Sequence, residues 1–145
     1  MKQAFLFFSI TLFCAPIKAN ESEYFYASFI QCAIDTGSLA YVNKKLHGER
    51  HNTFPFTKDS KTLLNAVQHV NLDVYKKVMK EIDSEIIVLN KEVGAQNLYS
   101  WSEIYNDMSK WYYDDTQTKY GKSCAKFVKA IRGGEFESIG IPKVP

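Results

Sequence analysis

Apolar side chains in this chain recur at intervals of three and four residues, the period of a helix with one buried face. In "NESEYFYASFIQCAIDTGSLAYVNKKLHG", Asn20 and Glu23 stand at capping-box spacing. Phe25, Phe29, Cys32, Thr36, Leu39 and Leu46 then mark a stripe that Gly48 closes. The segment "ERHNTFPFTKDS" has a proline and no period, so it reads as a loop whose Phe54 and Phe56 tuck against the core. A short helix is expected over about Ser60 to His69. After it, Asn71 caps a helix carrying Leu72, Tyr75, Val78, Ile82, Ile86, Leu89 and Val93, which runs to Gly94. The β-branched cluster in "EIIVLN" predicts a break near Asp83 and Ser84.

"SWSE" is a second capping box, at Ser100 and Glu103, and Trp101, Ile104, Tyr105, Met108, Trp111 and Tyr112 follow on one aromatic face. A last helix places Cys124, Phe127, Val128 and Ile131 inward and ends at Gly133 and Gly134. The tail "ESIGIPKVP" reads as an extended or fraying end. Strand-like alternation between hairpin turns is missing throughout. The expectation is an all-α bundle of about five helices, the first tied to the last.

The first residues change the picture of where this bundle works. Lys2 is followed by a largely apolar run from Ala4 to Ala15 and then a polar, acidic start. Such a run is too short to span a bilayer and has the shape of a secretory signal, cut after Ala19. Cys14 follows Phe13, where a lipidation motif wants a small residue, which argues against a lipid anchor. Residues 1–19 are therefore read as a cleaved signal peptide and residues 20–145 as one exported helical domain, periplasmic in a bacterium. No later stretch reads as a second anchor, so no membrane association is expected after cleavage. The signal holds Lys2 and Lys18, two of the 18 basic residues, and no acidic one, leaving 16 basic against 16 acidic. A chain so balanced has no electrostatic case for nucleic acid or anionic lipid.

Cys32 and Cys124 remain after cleavage. An even pair in an exported protein reads as a disulfide, with a reactive thiol or a metal ligand as the alternatives. His47 and His51 in "HGERH" are four apart, but the zinc-protease pattern needs Glu where Gly48 stands, so they read as solvated loop residues. His69 reads as a charge at a helix end. Adjacent Asp114 and Asp115 do not aim at one point and are expected to solvate a loop or face a partner. No nucleophile elbow or phosphate-cradling glycine loop occurs, and no cofactor is expected. The unusual feature is the aromatic load beside carboxylates from Tyr99 to Tyr120. Trp111, Tyr112 and Tyr113 point about 100° apart on a helix, so one buried face cannot take all three. Exposed Tyr and Trp beside acids suit a protein-binding surface. The candidates are Tyr99, Trp101, Glu103, Tyr112, Tyr113, Asp114, Asp115 and Tyr120. The alternative is that these rings fill gaps under loops of a small core.

Three stretches carry a family likeness: "YASFIQCAI", with its mid-helix cysteine; "NLDVYKKVMKEID", with Asp-x-x-Tyr; and "CAKFVKAIRGGEFESI". They cover about a third of the exported chain and resemble the periplasmic immunity proteins against type VI secretion amidase effectors, the Tai family, and the related Rap immunity proteins. The stretch between Gly94 and Cys124 carries no such likeness. The resemblance implies a protein without enzymatic activity that blocks the Cys-His groove of a cognate peptidoglycan amidase effector by a protruding loop, often within a homodimer. By position, the loops beside Tyr99 to Glu103 and Tyr112 to Tyr120 are the first expected contacts, and His47 to Phe56 the second. The competing readings are another exported inhibitor or adaptor of a cell-wall hydrolase, a metal-dependent hydrolase using His47 and His51, and a ligand-carrying bundle.

Overall fold

A computed structural model describes residues 21–94, 100–118 and 122–145, with the side chains of residues 21–24 outside the description. The signal peptide expected over residues 1–19 and its expected cleavage after Ala19 lie outside the described residues. Five α-helices occur among those described: α1 (Glu21–His47), α2 (Pro55–Val70), α3 (Leu72–Gly94), α4 (Trp101–Tyr113) and α5 (Cys124–Gly133). The fold is all-α, and a disulfide from Cys32 in α1 to Cys124 at the start of α5 ties the first helix to the fifth, with Cα atoms 5.3 Å apart.

The long first helix is the axis, because each of the other four packs on it. Its sequence shows a stripe, yet every residue from Cys32 to Leu39 is buried, including Asp35, Thr36 and Ser38. Surrounding helices supply partners for these polar groups. Gln31 Nε2 donates to Asp35 Oδ2 at 2.8 Å, and Ser38 Oγ donates to Glu85 Oε2 of α3 at 2.5 Å. The main core gathers Phe25, Phe29, Leu39, Phe56, Leu63, Phe127 and Ile131. A smaller core of Val42, Leu89 and Ile104 lies where α3 and α4 close on the C-terminal part of α1.

Gly48 turns the chain out of α1 at φ +54, a conformation that glycine adopts without strain, into a 3-10 segment (Gly48–Thr53). The next helix begins at Pro55, five residues before the expected Ser60. Proline suits a first helical turn because its missing N–H would have no intrahelical acceptor there. Phe56, Thr57 and Asp59, expected in a loop, are thus buried helix residues.

Asn71 Oδ1 accepts the N–H groups of Asp73 and Val74 at 2.9 and 3.1 Å and starts α3 as expected. The break expected near Asp83 and Ser84 is absent: α3 runs unbroken to Gly94. β-Branched residues cost only tenths of a kcal/mol each, and packing of Ile82, Ile86 and Leu89 against neighbouring helices outweighs that. Ser100 and Glu103 form the reciprocal capping box that opens α4. Ser123 caps α5, whose end is closed by Gly134 at φ +78, with Glu135 N–H reaching Ala130 O. The tail, expected to be extended or frayed, packs on the bundle. Phe136, Ile141 and Val144 are buried, Phe136 lies 4.6 Å from Phe25, and Tyr26 donates to Ile139 O at 3.0 Å. Its apolar residues find a seat that only the assembled α1, α2 and α5 create.

Candidate functional site

The aromatic stretch from Trp101 to Tyr113 is divided by its position on α4. Tyr112 is 1 % exposed and therefore no contact residue, which corrects its candidacy. Its hydroxyl donates to Asp59 Oδ2 at 2.5 Å. Asp59 Oδ1 in turn pairs with Arg132 Nη1 at 2.8 Å, Arg132 Nη2 donates to Thr62 Oγ1 at 3.0 Å, and Thr62 donates to Pro145 O at 2.9 Å. The chain of bonds joins α2, α4, α5 and the C-terminus. Burial and the Asp59 carboxylate both push the Tyr112 hydroxyl far above its ordinary pKa, so it stays a donor.

Tyr113, one step round the helix, is 58 % exposed and lies edge-on to Tyr112 at 5.0 Å. Trp101, Tyr105 and Trp111 are half-buried. Tyr99 and Tyr120, the remaining aromatic candidates, lie outside the described residues.

The carboxylate candidates are engaged within the chain. Glu103 Oε2 accepts Ser100 N–H at 2.8 Å, and the bonds from the backbone and side chain of Ser100 hold its pKa low. Asp114 accepts from Thr116 N and Oγ1 and from Gln117 Nε2, which lowers its pKa, the Gln117 bond most. Asp115 binds Lys126 Nζ and the backbone N–H of Ser123, with the Lys126 bond the main cause of its lowered pKa. These two carboxylates point to different partners and fasten the α4–α5 connection. The acid-rich contact face expected from sequence therefore offers less uncommitted charge than its composition suggested.

The second expected segment, His47 to Phe56, packs onto α4 and joins the first. His47 ends α1, and its ring stacks on Phe54 at 4.1 Å and meets Tyr105 edge-on at 5.7 Å. Phe56 meets Tyr105 at 5.7 Å, Tyr112 at 5.2 Å and Tyr113 at 6.2 Å. Two stretches about fifty residues apart thus form one continuous aromatic face. His47 is accordingly half-buried against rings, where the sequence suggested a solvated loop residue. His51 Nδ1 bonds Gly48 O at 2.8 Å and His69 Nδ1 bonds Asn65 O at 2.8 Å at the end of α2. Among the described residues no three His, Cys, Asp or Glu side chains come together in a manner suited to a metal.

Sequence reading missed the continuation of this face round the end of α1. Tyr41 meets Trp101 edge-on at 6.0 Å, and Lys45 Nζ sits 5.3 Å from the Tyr41 ring and 5.9 Å from that of Trp101. The Tyr41 hydroxyl and the Asn90 amide of α3 are hydrogen-bonded to each other. Tyr41, Lys44, Lys45, Gly48 and Glu49 line an open groove of about 340 Å³. The four-residue spacing of Tyr41 and Lys45 was visible in the sequence, but nothing local announces Trp101 beneath it. No described helix is long and apolar enough to cross a membrane, and the Cys32–Cys124 disulfide fits an oxidising compartment.

Compared with known proteins, the chain matches no family model, no curated protein and no solved structure.

Proposed function

We propose that this chain is a periplasmic immunity protein that binds and blocks a cognate type VI secretion peptidoglycan amidase effector, protecting the cell that makes it. The reading draws on the resemblance carried by "YASFIQCAI", "NLDVYKKVMKEID" and "CAKFVKAIRGGEFESI". The single structural observation that supports it is the aromatic face on which His47, Phe54 and Tyr105 meet and which Tyr113 joins through the buried Phe56, held on a disulfide-tied frame. Rings that are partly exposed yet braced by neighbours lose little entropy on binding, which is why they serve as anchors at interfaces. An inhibitor of this kind needs no catalytic group or cofactor of its own.

The test takes the oxidised chain, recovered after export, as bait in periplasmic extract from the producing cell. Captured proteins are identified by mass spectrometry, and the captured hydrolase is assayed on peptidoglycan with an equimolar amount of the chain. The expected result is a Cys-His hydrolase in near-equal amount, silenced by the chain. A hydrolase whose activity is undiminished, or capture of no hydrolase, overturns the proposal.

A further inference from the structure

The C-terminal end of α1 carries positive charge that finds no ion-pair partner among the described residues. "KKLHGER" sets Lys44, Lys45 and Arg50 against one carboxylate, Glu49. All four are exposed, and no ion pair among the described residues involves any of them. Lys45 is nonetheless held in place, its ammonium lying over the Tyr41 and Trp101 rings, and Tyr41 is anchored to Asn90. Burial raises the pKa of the Tyr41 hydroxyl, but hydrogen bonds with Asn90 and Lys45 and the charges of Lys45 and Lys44 bring it below the ordinary value. Space is open beside Gly48, where a methyl group would meet nothing within 4 Å.

Cations already positioned on aromatic rings, with space beside them and no carboxylate bound, match one kind of occupant. We propose that this groove docks an acidic segment of a partner protein, its carboxylate pairing with Lys44 and Lys45 and an adjacent apolar side chain resting on Tyr41. A patch of three cations matches one or two carboxylates, whereas a nucleic-acid track needs a longer row of phosphate contacts. The inference rests on the inhibitor reading and adds to it the chemistry by which the effector is held.

Calorimetry of the oxidised chain with a peptide of four Glu-Leu repeats, at low and high salt, tests it. The Lys-Leu counterpart and a single-stranded DNA of equal charge are the controls. The expected result is saturable binding of the Glu-Leu peptide alone, weakened about tenfold or more by salt and by the double variant Lys44→Gln/Lys45→Gln. Both lysines are exposed, so the variant folds, which its circular dichroism checks. Absence of binding, equal binding of either control, or undiminished binding by the variant overturns the proposal. The bait experiment separates the two readings. A hydrolase captured equally well by Lys44→Gln/Lys45→Gln sinks the groove and spares the inhibitor, while peptide binding without any captured hydrolase sinks the inhibitor alone.

Discussion

Gly37 lies in the middle of α1, buried where α3 crosses it, and replacing it with alanine sets two effects of opposite sign against each other. Alanine is the better helix former by about 1 kcal/mol, so an isolated helix would gain. A Cβ at Gly37, however, would stand 2.5 Å from Ile82 Cδ1 and 3.1 Å from its Cγ1. Ile82 is only 5 % exposed, so its δ-methyl cannot swing into solvent, and overpacking of this kind costs about 1–3 kcal/mol. The net expectation for Gly37→Ala is a loss of about 0–2 kcal/mol, despite the better propensity. Ile82→Val removes the offending methyl and costs about 0.5–1.5 kcal/mol alone. In that background Gly37→Ala should become neutral or stabilising, giving a favourable coupling of about 1–2 kcal/mol between the two sites. Urea unfolding of the four proteins, followed by circular dichroism with the disulfide intact, measures the cycle. If Gly37→Ala stabilises the native chain by the full helix-propensity gain, and Ile82→Val leaves that gain unchanged, α1 and α3 do not meet at Gly37 and the reasoning fails.

Cys32→Ala/Cys124→Ala opens a loop of sequence separation 92 and should cost about 4–5 kcal/mol, seen as a melting point lower by roughly 15–20 °C. A loss below about 2 kcal/mol would mean that the unfolded chain already keeps these segments together. Asp35 is buried, and desolvation first, then the neighbouring Glu85, raises its pKa well above the usual value, with the Gln31 bond opposing. Glu85 is itself raised, chiefly by burial and further by Glu81, with the Ser38 bond opposing. The folded chain therefore holds the Asp35 proton more tightly than the unfolded one. Its stabilising contribution is complete below the unfolded value of about 4 and is lost as pH rises through the raised folded value, each tenfold difference in proton affinity being worth about 1.4 kcal/mol. Asp35→Asn should match the native chain in acid and exceed it in stability at neutral and higher pH, as read from urea midpoints across that range. Arg132→Met strands the largely buried Asp59 carboxylate and should cost about 1–3 kcal/mol, discounted for the partial exposure of the pair. Lys126→Met, at a more exposed pair with Asp115, should leave the urea midpoint close to that of the native chain, because solvent screens the pair.

What the sequence determined about this protein is what can be signalled within a few residues of chain. The Asn71 cap, the Ser100 and Glu103 capping box, the Gly134 stop and the inward face of α5 each depend on groups within about four or five positions. The all-α class follows from their sum, and the pairing of Cys32 with Cys124, favoured by their even number over a thiol or metal role, is present as a disulfide. The tertiary structure decided whatever depends on what arrives from elsewhere. Trp111, Tyr112 and Tyr113 are chemically similar and fan round one helix, and it is the packing of α4 against Phe56 and Asp59 of α2 that takes Tyr112 into the core. Pro55 could end a loop or open a helix until Phe56 and Asp59 find α4 and α5 beside them. Phe136, Ile141 and Val144 look like a frayed end because their seat is built from the distant α1 and α2. The joining of Tyr41 and His47 to Trp101 and Tyr105 is likewise a property of how α4 lies on α1. Local hydrogen bonding and periodicity fix the elements, whereas the face they present together exists only once long-range packing has closed the chain on itself.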